Sequence, residues 1–378
     1  MSRRVERVAV DVAGPAAHDV DQKARFPTEA FDALREASLL SVLIPRELGG
    51  HGATVQQVAD ITFELGRHCA STGLIYAMHQ GQVASVVRHG GSAYFERFAA
   101  EVAERQLLLA SATTEVGVGG DVRTSVCTVE RDGKGAIRVE KMAPVISYGQ
   151  HADAILATAR RAPESPPNDQ VLVLCRPPGL TLEPISGWDT LGFRGTCSLG
   201  FKLVAEGNES CVLRDPYGDI SSQTMLPVSH ILWSSVWLGL ATAAADKARQ
   251  FVRTEARKKP GVTPPSALRL AELIAQLQRM EELVLGSARR YDLQREDVDT
   301  LSSMGFAISM NSLKVSTSTL VVDIVNRAML ILGMSGYKED SPHSLGRILR
   351  DAHGAAIMVN NDRINSNTAQ MLLVHKDD

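Results

Sequence analysis

The chain has 378 residues, 44% hydrophobic and 22% charged, with a formal net charge of −3. That length exceeds one ordinary core and predicts two or three packed units. No basic run tracks a phosphate backbone, and the 5% aromatic content offers little for base stacking, so nucleic acid is excluded as an expected partner.

The opening Met1–Gly14 carries arginines but no uninterrupted apolar stretch and no cleavage site, so no leader is expected. No run approaches eighteen consecutive apolar residues, and no membrane association is expected. The cysteines, Cys69, Cys127, Cys175, Cys197 and Cys211, are odd in number, scattered and free of C-x-x-C spacing. They read as reduced thiols of a cytoplasmic protein and give no metal site.

Three zones follow one another. In residues 1–108, apolar positions fall at helical spacing: Phe31, Leu34 and Leu39 to Val42, then Val55, Val58, Ile61 and Leu65. The spacing predicts an N-terminal helical domain. Residues 109–224 carry short β-rich runs at Ser125–Val129, Ala136–Val139, Ala154–Thr158, Val171–Cys175 and Ser198–Val204, separated by Gly- and Pro-rich turns. They predict a middle β domain, a barrel or sandwich, with 162–168 as an exposed hairpin loop. Residues 225–378 return to helical spacing over Ser229–Lys258, Pro265–Asp292, Asp297–Leu332 and a last segment after Ser344, which predicts a bundle of four long helices. The fold class is therefore a multi-domain α+β protein.

Eight segments in this order resemble the acyl-CoA dehydrogenase superfamily. They are the stretch from Arg25 to Leu40 with Ile44–Gly50; Tyr76–His79; Thr114-Glu-Val-Gly-Val-Gly-Gly-Asp121; Lys141–Asp153; Leu191–Thr196; Arg257–Gly261; Gly333–Tyr337; and Arg350-Asp-Ala352. The departures are Val116 and Gly120 in the proline and serine slots of the T-E-P-x-A-G-S-D loop, Val145 for a tryptophan, and Pro260 for a phenylalanine.

On its own chemistry, a Gly-rich turn behind Ser111, Thr113 and Thr114 offers amides and hydroxyls to a planar polar ring or an anion; the plainer alternative is a tight turn with solvated hydroxyls. No G-x-G-x-x-G follows a strand, so a dinucleotide must be held by other means. The resemblance implies FAD, contacted by Ser111, Thr113, Thr114, Gly119, Gly120, Ile146, Ser147, Gly333 and Asn361. It also implies Arg257 at a pyrophosphate, with a neighbouring subunit completing the site in a homotetramer. A planar guanidinium suits phosphate oxygens, whereas a solvated helix end is the alternative for Arg257.

Removing the α-proton of a thioester requires a positioned base. The family's glutamate, nine positions after the arginine of R-D-A, falls on Val359; its alternative slot falls on Ser229. Neither is acidic. Substitutes are His230, set in the apolar stretch Leu226–Leu240, and Asp362, three residues past the usual slot. A core histidine and a helix-capping aspartate are the competing readings. His79 occurs in several branches of this fold and discriminates little. The resemblance thus implies a flavin-dependent oxidoreductase acting on an acyl thioester of CoA or a carrier protein, with a non-standard base and an electron-transfer partner. The alternatives are a two-component monooxygenase taking reduced FMN or FAD from a flavin reductase, a redox elimination, and a catalytically silent flavoprotein.

Overall fold

The computed structural model describes residues 2–118 and 123–376. Helices α1 (Ser2–Arg7) and α2 (Gly14–Lys23) join through a π-helical stretch, and α3 (Thr28–Glu36) buries Phe31 and Leu34. A capping box starts α4 (Val55–His68): Thr54 Oγ1 accepts from the Gln57 amide while Gln57 Oε1 accepts from the Thr54 amide. α5 (Ala70–His89) is buried along most of its length, and α6 (Ala93–Arg105) is capped by Ser92.

Among the described residues seven strands follow: β1 (Leu109–Ala112), β2 (Val129–Arg131), β3 (Ala136–Ala143), β4 (Ala154–Arg160), β5 (Gln170–Cys175), β6 (Leu180–Ser186) and β7 (Gly200–Asn208). They form two sheets. One has the order β1-β4-β5, with β1 parallel to β4; the other is antiparallel with the order β2-β3-β7-β6. β5 is buried at every position, as expected for a strand covered on both faces. The run Ser125–Val129 joins β2 only at Val129, with Thr128 making a lone bridge to Arg160, because the amides of Val126 and Cys127 are spent on the Glu115 carboxylate.

The third part opens with α7 (Tyr217–Ile220), whose π-helical continuation leads into α8 (Leu226–Lys258). Next come α9 (Ser266–Gln294), α10 (Val298–Ser302), α11 (Met304–Leu332), α12 (Met334–Tyr337), α13 (Gly346–Gly354) and α14 (Asn361–Leu372). Two departures from the expected four long helices have local causes. Ser303 is extended and caps α11, which cuts the third segment. The fourth breaks into α13 and α14 because Val359 takes a left-handed φ of 47° and Asn360 caps α14.

α8 crosses α4 at Gly66 and Gly239. A Cβ at Gly239 would lie 2.3 Å from the Phe63 carbonyl oxygen, and one at Gly66 would lie 2.7 Å from that of Val236. The crossing seats α8 deep in the molecule.

Among the described residues, two segments are long and apolar enough to cross a membrane by length and composition, although neither is an unbroken apolar run. The window in the first, Tyr217–Lys258, is 83% buried and forms the centre of the fold, whereas that in Met304–Leu332 is only 44% buried.

Candidate functional site

The sheet domain presents an edge of hydroxyls beside an uncovered apolar patch. Thr114, just after β1, donates from Oγ1 to the Val145 carbonyl at 3.1 Å. The Val116 amide donates to the Met142 carbonyl at 2.9 Å, so Val116, Met142 and Val145 lie together, 55%, 40% and 37% exposed. Nearby, Ser147 is linked to Ser198 at 2.9 Å and Ser198 to Thr196 at 2.8 Å. Hydroxyls flanking an apolar floor fit a flat heteroaromatic ring that is polar at its rim. Ser111 and Thr113 lie partly buried on the same stretch. Ile146 is fully buried, with its amide committed to the Leu199 carbonyl. Gly119 and Gly120 lie outside the described residues.

On the bundle side, His230 of α8 donates from Nδ1 to the Met310 carbonyl of α11 at 3.0 Å, and burial pushes the ring down to about 4. It is therefore neutral at pH 7 rather than titrating near neutrality. His79 is held similarly: Nε2 donates to the Leu40 carbonyl, Nδ1 accepts from the Leu109 amide, and burial lowers it to about 4. Asp362 is exposed in the first turn of α14, where its amide is capped by Asn360 and its charge suits the helix end.

One turn deeper on α11 stands a residue that sequence reasoning missed. Lys314 is fully buried, donates to the Val359 carbonyl at 2.7 Å and to Asn361 Oδ1 at 2.8 Å, and lies 5.7 Å from the Trp237 ring centroid. Burial pushes its amine down to about 7. The signal was present: Lys314 is the one charged residue between Met304 and Val322. Asn361 is occupied inside the protein by Lys314 and Ser318.

Arg257 and Gly333 end α8 and α11, both exposed, and Arg257 has no partner among the described residues. His230 and Arg257 are 27 residues apart on one helix, about 40 Å at 1.5 Å per residue. Within one chain they cannot serve the same small cofactor.

Residues 1–106 match the acyl-CoA dehydrogenase N-terminal domain, and residues 220–369 match the acyl-CoA dehydrogenase C-terminal domain. The chain belongs to the acyl-CoA dehydrogenase family. Members of this family are flavin-dependent oxidoreductases. One relative is the cyclohex-1-ene-1-carbonyl-CoA dehydrogenase of Syntrophus aciditrophicus, 24% identical over 95% of this chain and 86% of that protein. A second is the dibenzothiophene monooxygenase of Mycolicibacterium goodii, 25% identical over 84% of this chain and 80% of that one. Among solved structures, TdsC from Paenibacillus sp. A11-2 with FMN and indole superposes with a TM-score of 0.85 at 20% identity. It covers 100% of this chain and 98% of its own, and at that identity the likeness is one of fold.

Two further family segments meet in the structure. The buried Asp351 of the R-D-A segment accepts from the Phe193 amide of the L-G-F-R-G-T turn at 2.6 Å, and burial raises its carboxyl to about 6. This is a structural clasp between the sheet domain and α13.

Proposed function

We propose that this family member is a flavin-dependent monooxygenase acting on a small organic molecule, with reduced flavin supplied by a separate reductase. The observation that carries this reading is the absence of a usable carboxylate at the family's base position. Val359 occupies the slot, Asp362 is exposed on α14, and His230 is a neutral ring with one nitrogen already bonded. Abstraction of an α-proton needs a base matched to the task. Oxygen insertion does not: one atom of dioxygen enters the substrate and the other leaves as water, with electrons from the flavin. When bound, the flavin supplies two-electron redox chemistry and, once reduced, activation of dioxygen. Thr114 and Ser147 would offer hydroxyls to the flavin ring, and Val116, Met142 and Val145 would give it an apolar floor.

A second reading, oxidation of an acyl thioester of CoA or a carrier protein, is favoured by the 95% coverage of this chain by a CoA-thioester dehydrogenase. The chain works as a homotetramer in a cytoplasm, each Arg257 reaching a phosphate of a neighbouring protomer's flavin. The 40 Å separation above supports this, as do Leu330, Met334, Tyr337 and Leu373, uncovered at 67%, 65%, 72% and 86%. Sedimentation as a monomer at micromolar concentration overturns the assembly.

The deciding experiment is made on the purified protein. Consumption of oxygen only with supplied reduced flavin supports the monooxygenase. Stoichiometric FAD bleached anaerobically by acyl-CoA thioesters supports the dehydrogenase and sinks our reading.

A further inference from the structure

Val359 is a β-branched residue in the left-handed region, with φ 47°. For such a side chain this conformation is strained and persists only where surrounding contacts enforce it. The enforcing contact is the Lys314 ammonium, which bonds the carbonyl of Val359 and the side chain of Asn361. Asn361 Nδ2 donates onward to Ser318 Oγ at 3.0 Å, and Asn360 Oδ1 accepts from the Asp362 amide at 2.8 Å. The turn between α13 and α14 therefore hangs on one buried cation, which counts no carboxylate among its hydrogen-bond partners in the described residues.

We propose that Lys314 is a positioning residue: its protonated amine holds the Val359–Asn361 turn in its strained shape, and loss of that proton releases the turn. That the turn borders the reacting flavin rests on the reading above; the clamp itself does not.

Two features make the clamp titratable near neutrality. Burial has already brought the amine to about 7, and no neighbouring charge opposes its deprotonation. From α8 the facing titratable group is His230, which is neutral above about pH 4. On α13 the buried Asp351 is committed to the Phe193 amide. On α14, Asp362 and Arg363 are exposed, and from α9 Arg290 donates to Ser309 Oγ at 2.8 Å. A neutral amine keeps two donors but loses the charge-assisted strength of both bonds, roughly half of it.

The test is amide hydrogen exchange on the full chain, with and without FAD, corrected for the intrinsic rate at each pH. The reporters are Met358, Asn361 and Arg363, whose amides bond the carbonyls of Gly354, Ala356 and Asn360. Wild-type protection at these amides falls about tenfold or more between pH 6 and 8.5, while α8 and the sheets keep theirs. Lys314→Met shows the lowered protection at every pH with no step. Adding Val359→Gly, which removes the left-handed strain, restores most of it. Protection in Lys314→Met within about twofold of wild type at pH 6, or no step in the wild type, overturns the proposal. If Lys314→Met does not fold, nitrogen-15 titration of Lys314 in the wild type decides: a midpoint near 7 supports the clamp and one above about 9 overturns it. Absence of FAD binding, read separately by absorbance, strikes the flavin reading and leaves the clamp standing.

Discussion

The Lys141 ammonium lies 3.1 Å from the Glu115 carboxylate, with side-chain exposures of 0% and 5%. Glu115 also accepts from Ser125 Oγ and the Cys127 amide, each at 2.6 Å, and Lys141 donates to the Thr158 carbonyl at 2.9 Å. The pair thus ties the loop after β1 to β3 and β4. Removing one member of a buried pair strands the other charge, at a cost of about 3–5 kcal/mol. Lys141→Met is expected to lose stability of that order in urea unfolding, and Lys141→Met with Glu115→Gln to lose less than the sum. Burial pushes the Glu115 carboxyl up, but the Lys141 charge and the hydrogen bonds outweigh it and hold it below its ordinary value. A depressed folded value contributes stability that is complete above about pH 4.3 and lost as pH falls through the folded value. Glu115→Gln flattens that acid limb.

His79 and His230 are both pushed down to about 4 by burial. Their ring signals in nuclear magnetic resonance should stay in the neutral form from pH 8 to pH 5.5, while exposed histidines titrate. Because the folded values lie below the unfolded one of about 6.5, both rings favour folding above that pH and withdraw their contribution as pH falls toward 4. A His230 signal moving with a midpoint near 6.5 contradicts the burial described here.

Val359→Glu restores a carboxylate at the family's base position. On the monooxygenase reading the variant still binds flavin and is not bleached by acyl-CoA thioesters under anaerobic conditions. Bleaching of its visible flavin band returns the thioester reading to first place.

Arg257→Ala removes a charge with no partner among the described residues, so the stability of the flavin-free protein should move by no more than about 0.5 kcal/mol. Flavin affinity should fall by about one to two decades, the loss of one charged hydrogen bond of roughly 1.5–3 kcal/mol. Ser147→Ala, a neutral hydroxyl, should cost about 0.5–1.5 kcal/mol of binding by isothermal titration. An unchanged affinity in Arg257→Ala removes that residue from the cofactor site.

The order of helices, strands and helices was legible because periodicity changes from 3.6 to 2 and back at recognisable turns. The family was legible because short Gly-, Arg- and Asp-bearing segments recur in order. β1 and β6 escaped, the former being only Leu109–Ala112 and the latter carrying Pro184 on an exposed strand. The split of the last helix escaped because its cause, a left-handed Val359, is set by a lysine 45 positions upstream. Lys314 itself went unremarked because the family pattern directs attention to acids, and a lone cation in an apolar helix carries no motif.

The Gly66–Gly239 crossing fixes α8 against α4. With the two backbones in contact and no side chain between them to act as a bearing, α8 has no room to slide or tilt against α4. On the monooxygenase reading, room for a substrate of another shape comes instead from the Val359 turn that Lys314 holds. Engineering directed at the range of molecules accepted belongs in the ten residues from Gly354 to Arg363, and substitutions along α8 should chiefly damage folding.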